Sequence, residues 1–145
     1  MDKICVKKWN ENAILPTYGS AEAAGADLYA CLEADVTIMP GKTEFIPTGI
    51  ALEVPKGCAG LIYARSSLGA KRGLAPANKV GVIDSDYRGQ IMVALHNHGV
   101  VEQTICHGER IAQMLITPVF TPGFVEVEEL DDTDRGVGGF GSTGK

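Results

Sequence analysis

Short apolar runs recur along this chain between glycine and proline punctuation. They fall at Ile4–Trp9, Val36–Met39, Thr43–Ile46, Ile50–Val54, Gly60–Ala64, Lys79–Ile83, Gln90–His96, Ile111–Val119 and Phe124–Glu128. Pro40-Gly41, Pro47, Pro55-Lys56-Gly57 and Pro122-Gly123 separate them as turns. In one run Ile91, Val93 and Leu95 alternate with Met92, Ala94 and His96, the period-two signature of a half-buried strand. Many short strands at this spacing predict an all-β sandwich or barrel. Ser66–Arg72 is expected as a helical turn. The run Arg110–Ile116 also has residues that suit a helix, but it is short and ends at Thr117-Pro118, so it is expected as strand.

One stretch concentrates chemistry. Gly81-Val82-Ile83-Asp84-Ser85-Asp86-Tyr87-Arg88-Gly89 holds two carboxylates, a tyrosine and an arginine between glycines. Val80–Ile83 and Ile91–Leu95 flank it as strands, and Asp-Ser-Asp is turn chemistry, so the pattern predicts a β-hairpin with acids near its tip. Two readings fit that spacing. The acids cap backbone groups in a solvated turn, or Asp84 stands beside a polar cleft and does acid–base work on a bound ring.

The C-terminal stretch is different in kind. Residues 131–134 are polar, and 135–145 are glycine-rich with one arginine (Arg135), one ring (Phe140) and two hydroxyls (Ser142, Thr143). Such a segment cannot bury enough surface to order itself. It reads either as a disordered tail or as an arm that closes over a ligand. The expected organisation is one β domain over residues 1–130 with this arm attached. Gly139-x4-Gly144-Lys145 fits a phosphate-loop pattern, but no Ser/Thr or helix follows it in the sequence, so that reading fails.

Composition narrows the classes. Thirteen basic residues stand against 18 acidic ones, a net charge of −5 over 145 residues. That speaks against a bulk nucleic-acid binder while leaving room for a few arginines around a phosphate. No apolar run is long enough for a membrane span or a signal peptide. Cys5, Cys31, Cys58 and Cys106 are far apart without a C-x-x-C pair, which reads as buried free thiols in a reducing cytoplasm.

Four other positions invite chemistry. Arg65-Ser66-Ser67 opens the helical turn and offers a forked donor and two hydroxyls to an anion, although capping by Ser66 fits equally. Asp27 follows a glycine turn, as a turn residue or as an outer-sphere partner of Mg²⁺. His96 and His98 share a face but have no third ligand at suitable spacing, so no zinc site is expected. Gln113 is polar within an apolar run, satisfied by backbone or used on a ligand.

Taken together, these pieces resemble the homotrimeric dUTPases, the dUTP nucleotidohydrolases. Five motifs of that family occur in order: Ala24–Leu28, Ala64–Gly69, Gly81–Gly89, Gly108–Gln113 and Arg135–Gly144. The resemblance implies a distorted jelly-roll β fold assembled as a homotrimer with sites shared between subunits. It also implies Mg²⁺-dependent hydrolysis of dUTP to dUMP and pyrophosphate in a cytoplasmic setting, with no nucleic-acid or membrane partner. By motif matching, Asp84 positions and deprotonates the attacking water. Val82, Ile83, Asn78 and Met92 hold uracil, and Tyr87 lies against the deoxyribose. Arg65, Ser66, Ser67, Arg135, Ser142 and Thr143 hold phosphates, with Gln113 ordering them. Phe140 and Gly141 cover the base, and Asp27 reaches Mg²⁺ through water. Ser67 and the Ala75-Pro76-Ala77 segment depart from the commoner family pattern. A deaminase acting on dCTP and a non-catalytic nucleotide-binding trimer are the alternatives.

Overall fold

A computed structural model of the chain describes residues 3–141. Its strands are β1 (Val6–Lys8), β2 (Thr17–Tyr18), β3 (Ala26–Tyr29), β4 (Val36–Ile38), β5 (Thr43–Pro47) and β6 (Ile50–Leu52). After them come β7 (Cys58–Tyr63), β8 (Leu74–Pro76), β9 (Gly81–Ile83), β10 (Met92–Asn97), β11 (Gln103–Ile105) and β12 (Arg110–Pro118). The all-β expectation holds. All pairings are antiparallel, in a five-stranded sheet ordered β2-β3-β12-β7-β9, a three-stranded sheet β5-β10-β8, and the pairs β1-β6 and β11-β4.

These sheets close on one apolar core. Leu28, Ile38, Ile46, Ile50, Leu74, Ile91, Leu95, Ile105 and Ile111 are its largest fully buried members. The alternation in β10 does what its period demands: Val93 and Leu95 point inward, while Met92 is exposed and His96 half-buried. Three polar side chains go inside, Asp27, Thr48 and Asn97, and the two uncharged ones are satisfied by backbone groups. Asn97 donates from Nδ2 to the Ile38 and Val101 carbonyls, at 2.9 and 2.8 Å, and accepts from the Gly99 N–H. Thr48 donates to the Ile91 carbonyl at 2.7 Å. Left unpaired, a buried amide would cost several kcal/mol, roughly 2–7.

The helical turn forms where expected, with Leu68–Arg72 in π-type geometry. Gly73 ends it in the left-handed region, at φ 65°, and a Cβ there would lie 2.9 Å from the Gly99 nitrogen. Glycine is therefore required twice over at this position, by torsion and by space.

Several expectations are corrected. The flanks of the Asp84 turn do not pair with each other. β9 pairs with β7, whereas β10 pairs with β5 and β8, so the hairpin is a turn between two sheets. Asp27 lies inside β3 and not in a turn, because Gln113 and Thr17 flank it on neighbouring strands. Strands β2, β3, β8 and β11 were not legible as apolar runs. Phe124–Glu128 forms no strand: Phe124 and Val125 are exposed, and no strand among the described residues takes up their backbone. The four cysteines are free, but only Cys31 is buried, and Cys5 and Cys106 are exposed.

Candidate active site

The divergence of β9 and β10 creates the site. β9 is the edge strand of its sheet, so its side away from β7 carries no ladder. Between it and β10 lies a cleft of about 180 Å³ lined by Val82, Ile83, Asp84, Tyr87, Gln90, Ile91 and Met92. That is below the roughly 300–1,000 Å³ typical of drug-sized ligands, and suits a single ring. Backbone N–H and C=O groups at an unpaired strand edge are obligatory hydrogen-bonding groups seeking partners, which fits them to read a polar ring edge.

The turn at its mouth is held from inside. The Tyr87 N–H donates to the Asp84 carbonyl at 3.2 Å. Tyr87 Oη donates to the Gln90 carbonyl at 3.0 Å, which fixes the ring. A Cβ on Gly89 would lie 2.6 Å from the ring carbon bearing that hydroxyl, so only glycine lets the tyrosine fold over the turn. Asp84 itself is exposed. It lines the small cleft on one side and, with Ser85, Asp86 and Arg88, a broad open basin of about 890 Å³ on the other.

A second concavity, of about 380 Å³, gathers Asp27, Arg65, Ser66, Ser67, Arg110 and Gln113 with Gly25. Strand register explains the grouping. Asp27 and Gln113 are Cα partners across β3 and β12, Gln113 and Tyr63 across β12 and β7, and Arg65 follows β7 directly. Asp27 is buried and shared by two guanidiniums: Arg65 Nε donates to one oxygen at 2.7 Å, and Arg110 Nη1 to the other at 3.3 Å. A register shift between Arg110 and Ala112 accompanies the arginine's approach to this acid. Gln113 Nε2 donates to the Ala64 carbonyl at 2.9 Å, so the side chain is satisfied by backbone, and it also lines this concavity. Ser67 makes no side-chain capping bond, which leaves its hydroxyl for other partners. Arginines, hydroxyls and turn N–H groups on a concave surface suit an anion.

Sequence reasoning is thus realised in two groups. Val82, Ile83, Asp84, Tyr87 and Met92 come together at the cleft, and Arg65, Ser66, Ser67, Gln113 and Asp27 at the basin. The two share no lining residue. Asn78 lines neither; it is exposed in the turn before β9, its Nδ2 3.5 Å from the position of a Cβ on Gly81. Arg135, Phe140 and Gly141 lie on the exposed arm, Phe140 fully exposed and Arg135 Nε bonded to the Gly138 carbonyl. Ser142 and Thr143 lie outside the described residues. Arg110 and Gln90 were missed. Arg110 sits within a motif but carried no local signal of its own, and Gln90 acts through its carbonyl, which no side-chain pattern reports.

His96 and His98 do face each other, ring centroids 4.5 Å apart. Although His98 is exposed, local desolvation, then the charges of Lys79 and His96, lowers its pKa below the ordinary histidine value. Among the described residues no three His, Cys, Asp or Glu side chains converge as a metal site. Nor is any described helix long and apolar enough to cross a membrane.

The fold and these two concavities define an all-β protein that pairs a ring-sized cleft, with a carboxylate at its mouth, with an arginine-rich anion basin. The dUTPase family model matches residues 11–144. The chain belongs to the dUTPase family. It is 52% identical over 132 residues to the deoxyuridine 5'-triphosphate nucleotidohydrolase of Janthinobacterium sp. (strain Marseille), covering 90% of this chain and 89% of the relative. It is 50% identical over 143 residues to that of Desulfitobacterium hafniense (strain DSM 10664 / DCB-2), covering 98% and 95%. Among solved structures, a mutant dUTPase of Staphylococcus bacteriophage 80alpha with dUpNHpp superposes with a TM-score of 0.91 at 27% identity, both chains fully covered.

Proposed function

We infer that the protein is a dUTP nucleotidohydrolase, converting dUTP and water to dUMP and pyrophosphate. The observation that carries this is the cleft beside Asp84, in a chain about half identical, over nearly its full length, to proteins of that activity. In this reading uracil enters between β9 and β10. Backbone groups of Val82 and Ile83 match its donor–acceptor edge, with Asn78 and Met92 beside it. A site built on such bonds rejects a ring with mismatched groups by up to about 10⁴-fold or more. The sugar lies on Tyr87, whose ring leaves no room for a 2'-hydroxyl.

Asp84 holds a water and takes its proton as the oxygen attacks the α-phosphorus. The bond from that phosphorus to the bridging oxygen breaks, and pyrophosphate leaves. A carboxylate is a weak base, so the larger contribution is placing the water in line with the leaving group. Arg65, Ser66, Ser67 and Gln113, with Arg135, Ser142 and Thr143 of the arm, neutralise and orient the phosphates. Phe140 and Gly141 cover the base.

Cleft and basin share no lining residue, and no described residue of the arm lines either. This supports a homotrimer in which different subunits supply the cleft, the basin and the arm. The chemistry of the donor set bears on Mg²⁺. With no convergent ligand cluster among the described residues, the ion would arrive chelated by the triphosphate, where it would neutralise charge. Asp27, already shared by two guanidiniums, suits a water-bridged contact better than direct ligation. In the cell such an enzyme would keep dUTP low, limiting uracil in DNA, and would supply dUMP for thymidylate synthesis.

The test is pyrophosphate release from dUTP, dCTP, dTTP and UTP, with ammonia measured in parallel. Release from dUTP alone is expected. Ammonia from dCTP would mark a deaminase, and binding of dUTP without pyrophosphate release a non-catalytic module. Asp84→Asn should keep dUTP binding and nearly abolish turnover.

A further inference from the structure

The turn that presents Asp84 has a side chain folded back on it that the mechanism above does not use. Arg88 Nη1 donates to the Ser85 carbonyl at 2.8 Å and to the Tyr87 carbonyl at 3.0 Å. Its Nη2 lies 3.6 Å from Glu53 Oε1, just beyond β6. One guanidinium therefore binds two carbonyls within the turn and spans to a different sheet pair. This matters because the turn lacks the usual support. Its flanks run to separate sheets, so no ladder of cross-strand bonds sets its shape, and a single 3.2 Å backbone bond closes it.

We propose that Arg88 is a positioning residue for Asp84, a clamp that fixes the turn so that the carboxylate meets its water in line with the α-phosphorus. The proposal rests on the reading of Asp84 as the water-activating base. Arg88 touches neither the ring cleft nor the anion basin. Its removal frees the Ser85 and Tyr87 carbonyls to water and lets the turn sample other shapes. Binding contacts on β9 and β10 stay in place. The loss therefore falls on turnover and not on affinity, since a displacement of about 1 Å can cost roughly 100-fold.

Arginine suits the task for a geometric reason. Its planar fork reaches two carbonyls from one nitrogen and a carboxylate from the other, whereas lysine offers one compact donor. The Glu53 contact is solvent-exposed and long, so it steers the guanidinium and contributes little by itself.

The test compares wild type with Arg88→Ala, Arg88→Lys, Glu53→Gln and Asp84→Asn in steady-state pyrophosphate release and in melting temperature. Arg88→Ala is expected to lower kcat for dUTP roughly 10- to 100-fold with KM within about twofold of wild type. Arg88→Lys should recover part of the loss, and Glu53→Gln should fall only a few-fold. A wild-type kcat in folded Arg88→Ala, or a rise in KM with kcat unchanged, would overturn the clamp. If Arg88→Ala does not fold, Arg88→Lys and Glu53→Gln decide: wild-type kcat in both would equally overturn it. Asp84→Asn separates the two ideas, because undiminished turnover there removes the base itself, whereas a dead Asp84→Asn beside a fully active Arg88→Ala removes only the clamp.

Discussion

Gly25 and Gln113 press against each other where β3 and β12 meet, and Gly25→Ala turns that contact into a measurable strain. A Cβ on Gly25 would lie 2.6 Å from Gln113 Oε1, 3.2 Å from its Cβ and 3.3 Å from its Cδ. The clash with Oε1 can be relieved by swinging the amide, but the contact with Cβ cannot, because that atom is fixed to the strand. The swing forfeits the bond from Nε2 to the Ala64 carbonyl, worth about 1 kcal/mol. Residual crowding adds about 1 kcal/mol more. A total of about 2 kcal/mol, at about 3–4 °C per kcal/mol for a chain of this size, lowers Tm by roughly 7 °C. Ala64 precedes Arg65, so kcat/KM for dUTP should fall as well, roughly 10-fold. The assay is a double-mutant cycle with Gln113→Ala, read by thermal unfolding at one fixed protein concentration. Once Gln113 is trimmed to alanine, only the crowding against its Cβ remains, so Gly25→Ala should cost about 1 kcal/mol, roughly half of its cost in the wild type. Additive penalties, or a wild-type Tm for Gly25→Ala alone, would refute the packing argument.

Deleting residues 135–145 should leave the melting temperature of the body within about 1–2 °C of wild type, since the described part of the arm buries no apolar side chain, while dUTP turnover collapses. An active truncated enzyme would return the arm to an idle tail. Tyr87→Ala should narrow the dUTP/UTP preference by opening the sugar position, and a preference ratio that does not move removes the steric argument.

The strand content was legible because these strands are short, apolar and punctuated, and because β10 alternates as a half-buried strand must. What escaped has physical reasons. β3 carries Asp27 at its centre, and a buried charge interrupts the pattern that marks a strand; its compensation by Arg65 and Arg110 comes from β7's end and β12, far away in sequence. β8 is three residues ending in proline, tolerated because it lies at a sheet edge. Pairing was the harder problem. Adjacent strands around a short turn usually pair, so a hairpin was the natural reading at Asp84, yet β9 turns to β7. Gly60 allows that choice: a Cβ there would crowd Met114 Sδ at 3.1 Å and Ile83 Cβ at 3.3 Å. The cleft exists because the local rule fails at this place, and the residues of the motif were readable while its geometry was not.

A net charge of −5 does not bar an acidic chain from a triphosphate, because the Debye length near 8 Å at physiological salt makes local charge the relevant quantity. In the basin two guanidiniums face one carboxylate. The way Asp27 holds Arg65 is informative: it takes Nε, at 2.7 Å, and the terminal nitrogens of that arginine make no hydrogen bond to a described residue. The guanidinium is thereby oriented at its root while its fork stays available for a bidentate anion contact. A lysine in the same place would have a single nitrogen, forced to choose between the acid and the ligand. The buried carboxylate thus neutralises half of the local positive charge and in return fixes the direction of what remains. If the basin holds the phosphates, as proposed, that exchange would favour catalysis over tight binding of the ground state, because phosphoryl transfer depends more on positioning than on raw attraction.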